Sequence, residues 1–279
     1  MEPLTIIILI FALLLVALLA GFASGLFGIG GGAVMVPALH YAFKAIGVRD
    51  DVIMHCAVAT SAAVIIVNSW RSVRKHAARD SVDMEVLLPK KILGSYALWI
   101  GLGAFIAAWR IAPYLSTVVL TSLFAVIAFF VSLQFIFGRP DFVFLKGVPK
   151  GLAPPFIGSS IGGLSALLGI GGGSLSVPLL SLCNVPIHRA IGTASGIGLA
   201  IAIPATFGFV ISGLGVEGRP LFSLGYVNLA GFAIIAVFSA LMVPMGVKAA
   251  HAMNAKRLKQ IFGFCLMIVA LNMLRESLI

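Results

Sequence analysis

Two glycine-rich stretches are the residues of this sequence best suited to bind a ligand. Residues 28–32 have the sequence Gly-Ile-Gly-Gly-Gly, and residues 169–173 repeat it at an offset of 141. Four glycines in five positions oppose helix formation, because each costs about 1 kcal/mol relative to alanine. An unwound turn frees amide N–H groups, and successive N–H groups form a concavity that favours an anion. The two stretches therefore predict a pair of anion-binding turns.

Hydroxyl side chains accompany both glycine runs. Ser24 corresponds to Ser165 at the same offset of 141, and Ser174 directly follows the second run. Thr60 and Thr193 correspond at an offset of 133, each five residues after a histidine. Helices that begin just after the runs would add partial positive charge. We predict that glycine amides and hydroxyl groups bind the anion, namely those of Gly30, Gly31, Gly32, Gly171, Gly172, Gly173, Ser174, Ser24, Ser165, Thr60 and Thr193.

Three further residues are candidates for handling a proton or the anion. His55 and His188 each lie near a predicted helix start, and Arg189 follows the second histidine. These positions equally suit a histidine that caps a helix or faces a loop, and an arginine at the membrane edge. All nine carboxylates fall in connectors or at segment ends, so none is placed to relay a proton inside the membrane. Proton coupling would therefore use His55 or His188.

The glycines also suit a purely structural role. Gly21 and Gly25, like Gly28 and Gly32, have the small-xxx-small spacing that lets helices approach closely without binding anything. A phosphate-binding loop would need Gly-Lys-Ser/Thr, and a dinucleotide site would need a strand-turn-helix context, and the sequence has neither. Close packing therefore stays open as the alternative to substrate contact.

The composition predicts an all-α polytopic membrane protein. Hydrophobic residues make up 61% of the chain and charged residues 10%, and the mean hydropathy is +1.14. This is more apolar surface than a soluble core of 279 residues can bury. The apolar segments are long and nearly continuous, which favours membrane helices over the short alternating strands of a barrel. We expect the three scattered cysteines to be small buried apolar residues.

The basic residues indicate membrane orientation rather than nucleic-acid binding. The net charge of +10 resides mainly in short connectors, and residues 71–91, 138–150 and 248–259 are predicted to be cytoplasmic. If each glycine-broken segment enters and leaves the membrane on one side, 14 of the 19 lysines and arginines face the cytoplasm. If each crosses once, only 11 do. The charge distribution therefore favours a hairpin, either a re-entrant or a discontinuous helix.

The hairpin interpretation makes the chain an inverted repeat. Each half then has one hairpin and three crossings, an odd number, so the second half is turned over relative to the first. In such transporters, interrupted helices from both halves meet at a midplane substrate site. The predicted units are an N-terminal repeat at 1–137 (broken segment 4–46, helices 52–70, 92–109 and 116–137), a linker at 138–150, and a C-terminal repeat at 151–279 (broken segment 151–183, helices 188–213, 227–247 and 260–275).

The repeated motif also resembles a known family. The pattern G-x-x-S-x-x-x-G-I-G-G-G followed by V-P begins at Gly21 and again at Gly162, and it is similar to that of the sulfite exporter TauE/SafE family of membrane permeases. The resemblance implies transport of sulfite, sulfoacetate or other organosulfonates across a bacterial inner membrane. Separately, outward movement of an anion is downhill across a potential that is negative inside, which favours export. It does not identify the anion.

Other functions stay open beside this one. A permease of the same fold for another small anion or solute is one alternative, and a non-transporting membrane protein is another. We expect no catalytic residues, no metal and no cofactor, because the sequence has no constellation that would supply them. The expected partners are a small anionic substrate and the lipid bilayer, with no nucleic acid, and assembly into a homo-oligomer is left open.

Overall fold

The protein is described here by a computed structural model that covers residues 3–87, 94–138, 147–149, 151, 153–252 and 254–278. Parts of the predicted cytoplasmic connectors 71–91 and 248–259, and most of the linker 138–150, lie outside the described residues. The helices are α1 (Pro3–Phe27), α2 (Gly32–Ala45), α3 (Asp50–Ala77), α4 (Met84–Leu87), α5 (Tyr96–Ile106), α6 (Thr117–Phe137), α7 (Ser159–Leu168), α8 (Gly173–Leu182), α9 (Ile187–Ser212), α10 (Leu229–Ala252) and α11 (Ala255–Leu278).

The predicted all-α membrane fold is confirmed. Within the described residues, five helices are long and apolar enough to cross a membrane, namely Asp50–Ala77, Tyr96–Tyr114, Thr117–Phe137, Ile187–Ser212 and Leu229–Ala252. The second of these joins α5 to a π-helical segment, Ala107–Ile111, and a 3-10 turn, Ala112–Tyr114. A second π-helical segment, Pro154–Gly158, precedes α7, and a short hairpin of β1 (Ser223–Leu224) and β2 (Val227–Asn228) precedes α10.

Several predicted helix limits differ from the structure. The helix expected over 52–70 continues to Ala77, and the helix expected over 260–275 spans Ala255–Leu278. Two further differences have a local cause. The helix expected over 92–109 extends to Tyr114, because the chain keeps turning through π and 3-10 geometry after α5. The helix expected from Val227 begins at Leu229, because the Asn228 side chain accepts a hydrogen bond from the Gly231 N–H at 2.8 Å and caps the first turn. These polar turns lie at the ends of apolar segments, where hydropathy alone does not define a boundary.

The helices α2 and α8 are too short to cross a bilayer. α2 has 14 residues and α8 has 10, which correspond to about 21 Å and about 15 Å at 1.5 Å per residue. A hydrocarbon core is about 30 Å thick. Each short helix follows a glycine run, so each forms the second arm of a broken segment.

Helices of the first half of the chain pack on helices of the second half, around a central pair formed by α3 and α9. α1 packs along α10, and correspondingly α7 packs along α5. α3 packs on α9, and α6 packs on α11. Exchanging the two halves therefore leaves the main helix contacts unchanged. Of the helices that could span a membrane, α3 is the most deeply buried, with 89% of its apolar window inside the protein.

Glycines allow the closest of these contacts. A Cβ added at Gly21 would lie 2.7 Å from the Ser239 Cα in α10, and one at Gly162 would lie 2.9 Å from the Ile100 Cα in α5. Real Cβ atoms essentially never approach another heavy atom so closely. Gly21 and Gly162 correspond at the offset of 141. Close helix packing is therefore the role of these two glycines, at matching interfaces of the two halves.

The helices α3 and α9 run antiparallel. Ser69 lies against Gly198, where a Cβ would be 2.5 Å from the Ser69 Oγ. Ser72, one turn further along α3, hydrogen-bonds Ser195, which is one turn earlier in α9. Residue numbers therefore rise along α3 as they fall along α9.

Candidate functional site

Both glycine runs interrupt their helices. α1 ends at Phe27 and α2 begins at Gly32, while α7 ends at Leu168 and α8 begins at Gly173. Glycine is needed in the intervening turns, since side chains rarely adopt the left-handed backbone found there. The residues with this backbone are Gly28, Gly30, Gly31, Gly169 and Gly171. Residues 28–31 and 169–172 are called the first and second break below.

The two breaks contact each other directly. A Cβ added at Gly173 would lie 2.5 Å from the Gly28 carbonyl oxygen, and one at Gly32 would lie 2.8 Å from the Ile170 Cα. Gly32 and Gly173 correspond at the offset of 141, as do Ile29 and Ile170. The backbone of each break thus packs on the backbone of the other, and the absence of side chains makes this possible.

The contact lies beside the middle turns of α3 and α9. A Cβ added at Gly30 would lie 2.7 Å from the Ile65 side chain, and one at Gly172 would lie 2.7 Å from the Gly198 N. Ile65 and Gly198 are both near the centres of helices that are 28 and 26 residues long. The breaks therefore lie beside the midpoints of the two central helices, α3 and α9.

The electrostatics of the contact favour negative charge. α2 and α8 both begin at the contact, and neither start has a side-chain cap that accepts its N–H groups. The first N–H groups of a helix have no intrahelical acceptor, and they carry the positive end of the helix dipole. Two helix starts of this kind therefore meet where the breaks meet.

The serines predicted at the site are buried without hydrogen-bond partners. Within the described residues, the hydroxyl groups of Ser24, Ser165 and Ser174 have no partner, and each residue is at most 1% exposed. Ser69 and Ser176 share this condition. A buried polar group without a partner costs about 1–3 kcal/mol. Ser24 and Ser165 occupy equivalent positions, so the same unmet hydroxyl occurs in both halves.

The structure gives Thr60 and Thr193 protein partners that the sequence did not indicate. The Thr60 hydroxyl accepts the Asn228 backbone N–H at 2.9 Å, and the Thr193 hydroxyl accepts the Asp83 backbone N–H at 2.8 Å. Each partner belongs to the other half of the chain, and each carries a side chain that caps the helix following it. Both threonines therefore tie a central helix to the opposite half.

The two predicted histidines have different surroundings. His55 is buried, and its Nε2–H donates to the Ala112 carbonyl at 3.0 Å while its ring stacks on Tyr226 at 5.1 Å. Burial raises the pKa of the Tyr226 hydroxyl, so this neighbour stays protonated at neutral pH. His188 is exposed, and the exposed Arg189 forms an ion pair at 3.8 Å with Asp83, which is partly buried. None of these three predicted residues is held in the contact between the breaks.

Sequence reasoning missed several polar residues of α3 that contact the breaks. Asn68 donates to the Gly30 carbonyl at 3.3 Å and accepts a hydrogen bond from Ser239 at 2.8 Å. Ser61 donates to the Gly169 carbonyl at 2.9 Å. The spacing of Ser61, Asn68 and Ser72 at seven and four residues would have revealed a polar stripe along one face of the helix. Among the described residues, no group of three His, Cys, Asp or Glu side chains is arranged to hold a metal ion.

Comparison with known proteins gives consistent results. The model of the family described as sulfite exporter TauE/SafE matches residues 13–273. A probable membrane transporter protein of Haemophilus influenzae is 32% identical over 261 residues, which cover 93% of this chain and 96% of the relative. A probable membrane transporter protein of Methanocaldococcus jannaschii is 27% identical over 267 residues, or 94% of each chain. No solved structure matches the chain.

Proposed function

The chain belongs to the sulfite exporter TauE/SafE family, and on this basis we propose that it is a membrane transporter of small sulfur-containing anions. The proposed substrates are sulfite, sulfoacetate and other organosulfonates. Membership of a transporter family and the five apolar helices make the chain a multi-pass membrane protein. The proposed location is a bacterial inner membrane, with the connectors 71–91, 138–150 and 248–259 on the cytoplasmic side.

The observation that carries this proposal is the contact between the two breaks. Two uncapped helix starts lie at this contact, and Ser24 and Ser165, whose buried hydroxyls have no partner among the described residues, each lie one helical turn before a break. An oxyanion would accept hydrogen bonds from the glycine amides and from the hydroxyls of Ser24, Ser165 and Ser174. Each bond from a serine would satisfy a buried hydroxyl that has no partner among the described residues, and hydrogen bonds to a charged group are worth about 1.5–3 kcal/mol. The same contact is tightly packed, so an anion would have to separate the breaks as it enters.

A rocking motion of the two halves would expose the site to each side of the membrane in turn. The antiparallel course of α3 and α9 and the exchanged helix packing support an inverted repeat. Inverted repeats commonly rock against each other around a fixed midplane site. The threonine hydrogen bonds to Asn228 and Asp83 would then join the halves at opposite ends of α3 and α9.

The proposed direction of transport rests on the charge of the substrate. Moving one negative charge out of a cell that is negative inside releases about 2.3 kcal/mol per 100 mV. Among the described residues no Lys, Arg, Asp or Glu side chain is buried, so the electrical gradient would act on the anion without a buried charge that compensates it. We therefore propose export rather than uptake.

The proposal is tested by ligand-induced stabilisation of the purified protein. The panel contains sulfite, thiosulfate, sulfoacetate, taurine and sulfate, and the measurement is the shift in thermal unfolding. A ligand at 100 times its Kd stabilises by about 2.7 kcal/mol. We expect at least one sulfur oxyanion to stabilise the protein, and flux of the same anion in proteoliposomes.

Two serine variants make the test specific to the site. Ser24→Ala and Ser165→Ala remove hydroxyls that have no protein partner, so folding should be unaffected. The affinity for the anion should fall by about tenfold for each, because one charge-assisted hydrogen bond is lost. Ser277→Ala is the matched control, since its hydroxyl bonds the Leu274 carbonyl in the last turn of α11. Unchanged affinity in both site variants would refute the proposed site.

A further inference from the structure

Three histidine rings meet at one end of the helix bundle. The His188 and His251 ring centroids are 5.3 Å apart, and those of His76 and His251 are 5.5 Å apart. His76 lies at the end of α3, His188 at the start of α9 and His251 at the end of α10. Both halves of the chain therefore contribute to this histidine cluster.

The surroundings of the cluster carry excess positive charge. Arg79 follows α3, and its guanidinium donates to the Val247 carbonyl at 3.3 Å, one turn before His251. Asp83 is occupied, since it forms the ion pair with Arg189. The segment of α1 against the cluster contributes the uncharged Gly25. The other ionisable residues at these helix ends are Arg74, Lys75, Asp80, Glu85 and Lys248, of which all are exposed.

His76 has one ring nitrogen available for a ligand. Its Nε2 is 3.0 Å from the Gly25 carbonyl oxygen, and this oxygen can only accept, so Nε2 carries the hydrogen. Its Nδ1 is buried and has no partner among the described residues, although the residue is only 1% exposed. A proton taken up at Nδ1 would create a buried donor that only an acceptor such as an anion could satisfy.

A line of polar groups connects the cluster to the first break. One turn before His76, the Ser72 hydroxyl lies 2.9 Å from the Ser195 hydroxyl and 3.4 Å from the Ser24 carbonyl oxygen. A Cβ added at Gly28 would lie 3.0 Å from the Ser195 Oγ. The hydroxyls of Ser72 and Ser195 therefore lie between the histidine cluster and the first break.

The histidine cluster is not repeated at the equivalent positions of the two halves. At the offset of 133, His188 corresponds to His55, but His76 corresponds to Phe209. The contacts of Gly21 and Gly162 define an offset of 139 between α5 and α10, at which His251 corresponds to Ala112. The opposite end of the bundle thus has one histidine where this end has three.

We propose that His76, His188, His251 and Arg79 form a vestibule that binds a small oxyanion before it reaches the breaks. The Arg79 guanidinium supplies the permanent positive charge of this site, the histidine rings supply N–H donors, and the start of α9 favours the bound anion. The inference rests on the proposed anion transport, and it adds a second, peripheral binding site at the basic end of the bundle.

Histidine modification with diethyl pyrocarbonate tests the vestibule without any transport assay. The full chain, reconstituted in lipid, is treated at neutral pH in methanesulfonate, in sulfate, or in chloride of equal ionic strength, and modification of each histidine is followed by mass spectrometry. An anion at ten times its Kd leaves about one site in eleven free. His188 and His251 should therefore react about tenfold more slowly in sulfate or methanesulfonate than in chloride. Equal rates in all three salts would overturn the vestibule.

Matched arginine variants identify the binding groups. Arg79→Gln should abolish the protection of both histidines. Arg74→Gln should preserve it, because this guanidinium stacks over Trp70 at 4.8 Å. His251→Gln offers a second check, in which the protection of His188 should weaken. Loss of protection in both arginine variants alike would contradict the assignment.

The outcomes separate this inference from the proposed function. If sulfur oxyanions stabilise the protein through Ser24 and Ser165 but do not protect His188 and His251, the vestibule is wrong and the proposed transport stands. If no oxyanion stabilises the protein or protects the histidines, both are wrong.

Discussion

Gly173→Ala tests directly whether close contact between the breaks holds the molecule together. The added Cβ would lie 2.5 Å from the Gly28 carbonyl oxygen and 2.6 Å from the Ile29 Cα. These are backbone atoms, so no side-chain rotation can relieve the overlap. Gly173 does not have a left-handed backbone, so the perturbation is steric alone.

The expected magnitude follows from these distances. The Cβ would have to move from 2.5 Å to beyond 3.0 Å from its neighbour, which separates the first break from α8. Overpacking of this kind costs about 1–3 kcal/mol. Alanine at a helical position returns at most about 1 kcal/mol. We therefore expect a net loss of stability together with weaker anion binding.

Gly163→Ala is the matched control. Gly163 lies inside α7, and an added Cβ would meet the Gly103 carbonyl oxygen at 3.6 Å and the Ala107 Cβ at 3.7 Å, which are ordinary contacts. This variant should be as stable as the parent or more stable by up to about 1 kcal/mol. The assays are reversible unfolding in mixed micelles and anion-induced stabilisation. Equal stability and equal anion affinity of the two variants would refute the reasoning.

Three further predictions concern buried contacts. Asn68→Leu should cost about 1–3 kcal/mol in the same unfolding assay. Asn68 and Ser239 share a hydrogen bond, so the double variant Asn68→Leu/Ser239→Ala should lose less stability than the two single variants added together. Thr193→Val should destabilise by about 1–3 kcal/mol by leaving a backbone N–H unpaired, while Thr193→Ser should retain most of the stability; equal effects would exclude the hydrogen bond. Cys56 and Cys183 are buried, so in a Cys265→Ser background maleimide should label them only after unfolding, and rapid labelling of the folded protein would contradict the packing.

Much of the fold was predictable because lipid imposes simple local rules. The hydrophobic lengths located the membrane helices. The glycine runs located both interruptions, since four glycines in five positions together disfavour a helix by about 4 kcal/mol relative to alanine. The short arms α2 and α8 followed from the same counting. The duplication supplied a further constraint, because each half predicted the other.

The polar contacts were less predictable because they join residues distant in sequence. Thr60 and Thr193 were expected to face the anion, but their partners are backbone N–H groups in the opposite half. The histidine cluster requires the ends of α3 and α10 to meet the start of α9, which no local pattern specifies. Asn68 joins two partners that are distant in sequence, Ser239 in α10 and the Gly30 carbonyl of the first break.

The central claim is that an oxyanion binds between the two breaks, and anomalous diffraction from a heavier analogue tests it most directly. Crystals of the protein would be grown with selenate or selenite, whose selenium atom reports the position of the anion. We expect an anomalous peak between the breaks, within hydrogen-bond reach of the hydroxyls of Ser24 and Ser165. At a saturating concentration, a peak found only elsewhere, or none at all, would contradict it.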